Sequence, residues 1–306
     1  MSQRPLLLLI DGHALIYRAY HALPELTDPE GRLVNAVYGF TRILLNAIRQ
    51  FQPDYIAVAF DSKEKTIRAD LDETYKANRP EMPDDLKPQI ELVRQVVEAL
   101  NIPIFILPGY EADDLIGTIA KRVTQTEDID VLIVTGDKDL LQLVDDKIHV
   151  FIPKRGRYSQ DVEYDPEQVK VKLGVKPSQV VDLKALMGDS SDNIKGVKGI
   201  GKKTAAKLIN QFGSLTSLYR AIDEGRDGLT PNVREKLKAG RADAFLSQEL
   251  ARINTESPIQ FELEKAKVSQ YDKEKVAQLF EELGFHSLMK YLPQDEFEKS
   301  VQEALF

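Results

Sequence analysis

Short apolar runs separated by helical repeats constrain the first half of this chain more than any other feature. Leu6 to Ile10, Tyr55 to Phe60, Ile102 to Leu107 and Val131 to Thr135 are apolar on consecutive residues, the mark of strands buried on both faces. Between them, Val34, Val37, Tyr38, Thr41, Leu44, Leu45 and Ile48 recur at helical spacing, as do Ile90, Val93, Val97 and Leu100, and then Leu115, Ile116, Ile119, Ala120 and Val123. This alternation predicts an α/β fold, a parallel sheet covered by crossover helices. After Gly174 the pattern changes to short helices with Gly, Ser and Asp turns, which predicts a second, helical subdomain from about Pro177 onward. One connection is anomalous. Lys63 to Arg79 is charged with little apolar periodicity, the pattern of a mobile element, and Pro80, Pro83 and Pro88 punctuate its end, with Asp84 and Asp85 placed to cap the next helix.

Acids stand where the strands end. Asp11 follows the first strand, Asp61 the second, Glu111, Asp113 and Asp114 the third, and Asp137 and Asp139 the fourth, while Asp189 and Asp192 lie in the turn-rich segment GDSSDN. Taken singly, each reads equally as a helix cap. Jointly, carboxylates converging at the carboxyl edge of a sheet repel one another, so their convergence implies cations. The chain has no cysteine and four histidines without HExxH spacing, which excludes thiolate sites and disfavours a zinc hydrolase; oxygen ligands favour Mg²⁺ or Mn²⁺. Acids sufficient for two ions fit phosphodiester hydrolysis, which needs no Ser or Cys nucleophile. His13, in the turn after the first strand, reads as a structural hydrogen-bonder rather than a catalyst.

With a formal net charge of −8, a polyanionic partner must be met locally. Lys195, Lys198, Lys202, Lys203 and Lys207 cluster in KGVKGIGKKTAAK without an acid. The spacing nearly matches a P-loop, but Lys203 stands where Ser or Thr is required. What remains is a Gly199-Ile-Gly201 turn opening a helix from Thr204 to Phe212, where bare amides, Lys198, Lys202 and Lys203 can hold phosphates without reading bases; the bland alternative is a solvated basic face. A second cationic group, Lys63, Lys65, Arg68, Lys76 and Arg79, follows Asp61 closely enough to hang over the acids and grip a phosphate, with Tyr75 available to stack on a base. No apolar run approaches the ~18 residues of a membrane span, and the chain reads as cytoplasmic.

Together LLLLIDGHALIYRAYHAL, NAVYGF, AVAFDSKEKTIRADLDETYKANRPEMPDDL, GYEADDLIGTIA, VTGDKDLLQLV and GDSSDNIKGVKGIGKKTA resemble the 5′-nuclease (5′-3′ exonuclease) domains found at the N-terminus of bacterial DNA polymerase I, within the flap endonuclease superfamily. The resemblance runs from about Leu6 to Leu292. It implies a PIN-like core over 1–175, a helical arch at about 62–88, and a helical DNA-binding subdomain over 176–292 with a helix-three-turn-helix at about 186–212. Residues 293–306 are expected as a tail or linker. It further implies two Mg²⁺ or Mn²⁺ ions, with Asp11, Asp61, Glu111, Asp113 and Asp114 serving the first and Asp137, Asp139, Asp189 and Asp192 the second, and a K⁺ ion at the GVKGIG turn. Lys76 and Arg79 match arch positions that steer the scissile phosphate. The expected activity is that of a structure-selective 5′-3′ exonuclease and 5′-flap endonuclease acting on duplex DNA and RNA-primed DNA in replication and repair. No polymerase activity is expected of this chain, though a polymerase domain could be covalently linked to it. The rivals are a DNA-binding scaffold without catalysis and a PIN-type ribonuclease, the latter having little use for a duplex-gripping hairpin.

Overall fold

The computed structural model describes residues 4–153, 161–268 and 271–294, so the expected tail lies outside the described residues from 295 onward. Its elements, in chain order, begin with β1 (Leu6–Asp11), α1 (Gly12–Ala22), α2 (Asn35–Phe51), β2 (Tyr55–Ala59), α3 (Ile67–Leu71), α4 (Lys87–Ala99), β3 (Ile104–Phe105), α5 (Ala112–Thr126) and β4 (Asp130–Val134). A 3₁₀ turn at Asp139–Leu143 leads to β5 (Ile148–Ile152), β6 (Val162–Tyr164) and α6 (Pro166–Leu173). Then follow α7 (Val180–Met187), α8 (Lys202–Phe212), α9 (Leu215–Asp223), α10 (Pro231–Ala239), α11 (Arg241–Ala251) and α12 (Lys273–Glu282).

The strands form one six-stranded sheet in the order β3-β2-β1-β4-β5-β6. Neighbours pair in parallel except β5 with β6. The apolar runs predicted β1, β2 and β4 within a residue or so, but two strands went unread. Both β5 and the antiparallel β6 lie toward one edge, where His149 and Glu163 interrupt the apolar run and pair across the strands at 2.8 Å. The expected third strand shrinks to two residues because Pro103 has no amide for the ladder and sits at the opposite edge.

Period-two alternation sorts each central strand between two cores. Leu7, Leu9, Val131 and Ile133 pack with α5 and the helices α6 to α11, whereas Leu8, Ile10, Leu132 and Val134 pack with α1, α2 and α4. The second core also takes Val276, Phe280, Phe285 and Leu288. Residues 271–292, expected inside the helical subdomain, therefore return to the α/β core. Val268 N–H bonds Asp54 O at 3.2 Å, and the Tyr38 and Phe285 rings meet edge-on at 5.3 Å. The helical subdomain is an excursion between two parts of one core.

The expected cap on α4 is absent. Its N-cap is Leu86, without a side-chain bond; Asp84 pairs with Lys87 at 2.7 Å, and Asp85 accepts from Tyr20 Oη at 3.0 Å. Pro88 in the first turn has no amide, and Lys87 N–H and Gln89 N–H already bond Pro83 O and Leu86 O, which leaves an acid little to cap.

Candidate active site

The strand ends supply the acids, and the caps aim them. Asp11 closes β1 and caps α1, accepting from Ala14 N–H at 3.1 Å and from the fully buried Thr135 Oγ1 at 2.6 Å. Thr135 Oγ1 in turn accepts from Asp137 N–H at 2.9 Å, and Asp137 Oδ1 accepts from Asp139 N–H at 2.9 Å. One hydroxyl thus ties the end of β1 to the turn after β4. Asp61 accepts from Ala112 N–H at 2.8 Å at the start of α5, while its own N–H donates to His13 Nδ1 at 3.0 Å, so the imidazole ties the turn after β1 to the end of β2.

Burial is the leading cause of an acid-retaining cluster here. It pushes the Asp11 carboxyl up to about 7 against the Thr135 hydrogen bond, with Asp61 and Asp137 adding repulsion. It likewise raises Asp113, with repulsion from Asp137 and Asp11 pushing the same way, and brings Asp139 to about 7. These shared causes put Asp11, Asp113, Asp137 and Asp139 within one electrostatic neighbourhood.

Cations sit on the other acids. The buried Lys184 bridges Asp139 and Asp189, the latter at 2.6 Å, and holds the Asp189 carboxyl below its usual range despite burial. Lys76 Nζ stands 2.9 Å from Glu111 Oε2, and Arg79 is 2.5 Å from Asp192. Among the described residues no group of three His, Asp or Glu side chains is arranged to hold a metal ion. The expected ligands are gathered, with ammonium and guanidinium groups among them.

Asp114 departs from the expected ligand set. Both its oxygens are spent on Arg68, at 2.7 and 2.8 Å, and on the backbone amides of Glu111 and Asn254. A helix turns by about 100° per residue, so adjacent acids on α5 cannot share a direction, and Asp113 takes the one toward the cluster. Tyr75 also departs from its expected part. It is buried, its hydroxyl donates to Glu111 at 3.2 Å, and the Lys76 ammonium lies 4.9 Å over its ring, so the ring is not presented to a base.

The charged connection holds its acids through backbone as well as side chains. Lys76, at φ 56°, donates its N–H to Asp192 O at 3.0 Å; Asn78 donates to Ser190 O and Asn193 to Thr74 O, each at 2.7 Å. Residues 74–79 are thereby latched onto the GDSSDN turn. Sequence reasoning missed Thr135, Asn78, Asn193 and Lys184. Only Lys184 had a usable signal, as a lysine inside the apolar run VVDLKALM, where burial demands a carboxylate partner.

Beside the acids opens a cleft of about 610 Å³ lined by Tyr17, Arg79, Asp137, Asp139, Asp189 and Lys202, among others. Lys202 is the first residue of α8, whose N-cap, Gly201, makes no side-chain cap bond and leaves the amides open. Lys195, Lys198, Lys202, Lys203 and Lys207 are all exposed, Thr204 is half-buried, and Val197 and Ile200 turn inward. Close backbone approach keeps this turn tight. At Gly196, φ 61°, a Cβ would lie 2.2 Å from Gly188 N, and its N–H bonds the buried Ser247 Oγ at 3.0 Å. Lys236 of α10 lies over Gly199, reaching its carbonyl at 3.5 Å.

The sequence matches the family described as 5′-3′ exonuclease, N-terminal resolvase-like domain, over residues 6–174, and the one described as 5′-3′ exonuclease, C-terminal SAM fold, over residues 175–274. It is 46% identical over 297 residues to DNA polymerase I of Chloroflexus aurantiacus and 41% identical over 306 residues to that of Bacillus subtilis, covering 94% and 100% of this chain. The chain spans about a third of the length of these relatives, 31% and 34%. Among solved structures it resembles the bacteriophage T5 D15 flap endonuclease, described as a pseudo-enzyme-product complex with DNA and metal ions (TM-score 0.66, 22% identity, 97% of this chain and 98% of the other). It also resembles the catalytic core of Rad2 in complex with DNA substrate (TM-score 0.58, 17% identity, 94% and 92% covered). At these identities the structural likeness is one of fold.

Proposed function

Starting from the premise that this chain belongs to the 5′-3′ exonuclease family, we propose that it hydrolyses phosphodiester bonds at 5′ ends and 5′ flaps of duplex DNA, and of RNA paired to DNA. The observation that carries this reading is the cleft in which Asp137, Asp139 and Asp189 share one wall system with Lys202 at the start of α8. A site for cutting opens there onto a site for holding phosphates.

The donor set is oxygen only and crowded enough to retain protons, which suits hard divalent cations. Asp11, Asp61, Glu111, Asp113, Asp137, Asp139, Asp189 and Asp192 would hold two Mg²⁺ or Mn²⁺ ions, and bound there these would lower the pKa of an attacking water and offset charge on the leaving oxygen. Thr135 fixes Asp11 and orients the backbone at Asp137. Lys76 and Arg79 stand on Glu111 and Asp192, poised to exchange a carboxylate for the phosphate of an entering strand. Lys184 keeps Asp139 and Asp189 together while neutralising part of their charge. The amides of α8, with Lys198, Gly199, Gly201, Lys202, Lys203 and Thr204, grip the duplex backbone without selecting sequence.

The test is cleavage of a 5′-flap duplex in Mg²⁺, with EDTA as control. Flap release in Mg²⁺ and none in EDTA is expected. Tight flap-duplex binding without cleavage under any divalent ion would instead make the chain a binding module.

A further inference from the structure

We propose that Arg68 is a positioning residue: it fixes Glu111 in the orientation from which it can serve the acid cluster, and it anchors the charged connection to the body of the fold. This inference rests on the metal-dependent reading above and deepens it. The helix that carries Arg68 is not held by apolar burial, since Ile67 and Leu71 of α3 are 46% and 50% exposed. Arg68 itself is buried, with a side chain only 10% exposed. Its donors are spent on two sides. Nε donates to Leu250 O at 3.0 Å and Nη2 to Arg252 O at 2.6 Å, serving carbonyls that α11 leaves open at its C-terminal end. Nη1 and Nη2 grip Asp114 in a fork, at 2.8 and 2.7 Å, and Nη1 also reaches Glu111 Oε2 at 3.3 Å.

Glu111 Oε2 takes two further donors from the same connection, Lys76 at 2.9 Å and the Tyr75 hydroxyl at 3.2 Å. These differ from Arg68 in what else holds them. Tyr75 and Lys76 belong to the turn latched on the GDSSDN segment, so they leave Glu111 whenever that turn lifts or a phosphate attracts the lysine. Arg68 is tied to Asp114 and to two carbonyls that take no part in the cleft, so it stays. A lysine could neutralise Asp114 but could not fork onto it while also bonding both carbonyls and Glu111. Arg68 therefore sets the resting direction of one acid of the cluster through a contact that survives opening.

The experiment compares wild type with Arg68→Lys and with Arg68→Met combined with Asp114→Asn. The second variant removes the buried charge pair together, so no unpaired charge is left to unfold the chain; the amide oxygen introduced by Asp114→Asn would still accept from Asn254 N–H but no longer from Glu111 N–H, a loss that Arg68→Lys, which keeps Asp114, does not share. Mn²⁺ titration followed by electron paramagnetic resonance is read alongside kcat and KM on a 5′-flap duplex and a thermal melt. Loss of roughly 10- to 100-fold in Mn²⁺ affinity is expected in both variants, the range seen for residues that orient metal ligands, with kcat falling and KM for the flap changing by less than about twofold. If the double variant melts like wild type and binds Mn²⁺ equally well, Arg68 is only a structural ion pair and the inference is overturned. A wild type that takes up no Mn²⁺ would overturn the metal reading and this inference with it.

Discussion

At the scale of single residues, the cleft is organised by groups that touch acids rather than by the acids alone. Thr135 is the simplest case. Val has nearly its shape but no hydroxyl, so Thr135→Val strips Asp11 of one donor and Asp137 N–H of its acceptor at a site with no solvent access. The expected cost is about 1–3 kcal/mol, read as a lower urea midpoint at unchanged slope. A functional counterpart is Asp137→Ala. It removes a carboxylate from the cluster while leaving the lysines of α8 intact, so cleavage should fall on the order of 10²-fold or more with flap-duplex affinity nearly unchanged. Equal losses in a paired binding and single-turnover assay would refute that division of labour.

At the scale of elements, the glycine-lysine hairpin separates positions that look alike in sequence. Gly196→Ala forces a Cβ into the backbone of Gly188 at a left-handed φ, whereas Gly201→Ala meets nothing within 4 Å at φ −90°. The first should destabilise by several kcal/mol and weaken duplex binding, and the second should cost only a few tenths to about 1 kcal/mol; thermal melts of the two variants would separate them. Replacing Lys202 and Lys203 by Ala should lower the slope of log affinity against log salt by roughly 0.9 for each phosphate no longer neutralised, at any base sequence. The same contrast explains how much of the molecule is legible in its sequence. Apolar runs disclosed β1, β2 and β4, and helical periods disclosed α2, α4 and α5, because burial leaves a local mark; α8 was legible instead from the Gly199-Ile-Gly201 turn that opens it. Short edge strands such as β6, and the direction that distinguishes Asp113 from Asp114, depend on partners far along the chain. Arg68 was visible as a charge but not as a buried one, since its fork partner on α5 and its carbonyl partners at the end of α11 are distant in sequence.

For the molecule as a whole, the cluster makes folding and charge oppose one another. Asp11, Asp139 and Asp113 are raised by burial, so between about pH 4 and pH 7 the folded chain binds more protons than the unfolded one, and stability falls as pH rises through that range. Burial holds His13 below its usual value, which works the other way, one group against three. Carboxyls held low by partners, such as Asp145 beside Lys121, lose their contribution only at lower pH. In EDTA the melting temperature should therefore be higher at pH 5.5 than at pH 7.5, and Mg²⁺ should raise it more at pH 7.5, with each 1 kcal/mol worth ~2–4 °C. A melt indifferent to both would count against a crowded acid site. The return of the chain to its first core adds a constraint during synthesis. Val93, Val96 and Val97 of α4 emerge from the ribosome early, yet Val276, Phe280 and Phe285, which share their cluster, come only after the whole helical excursion has been made. The nascent α/β half must wait with that face uncovered, sticky to any neighbour, until Val276, Phe280 and Phe285 arrive to close it.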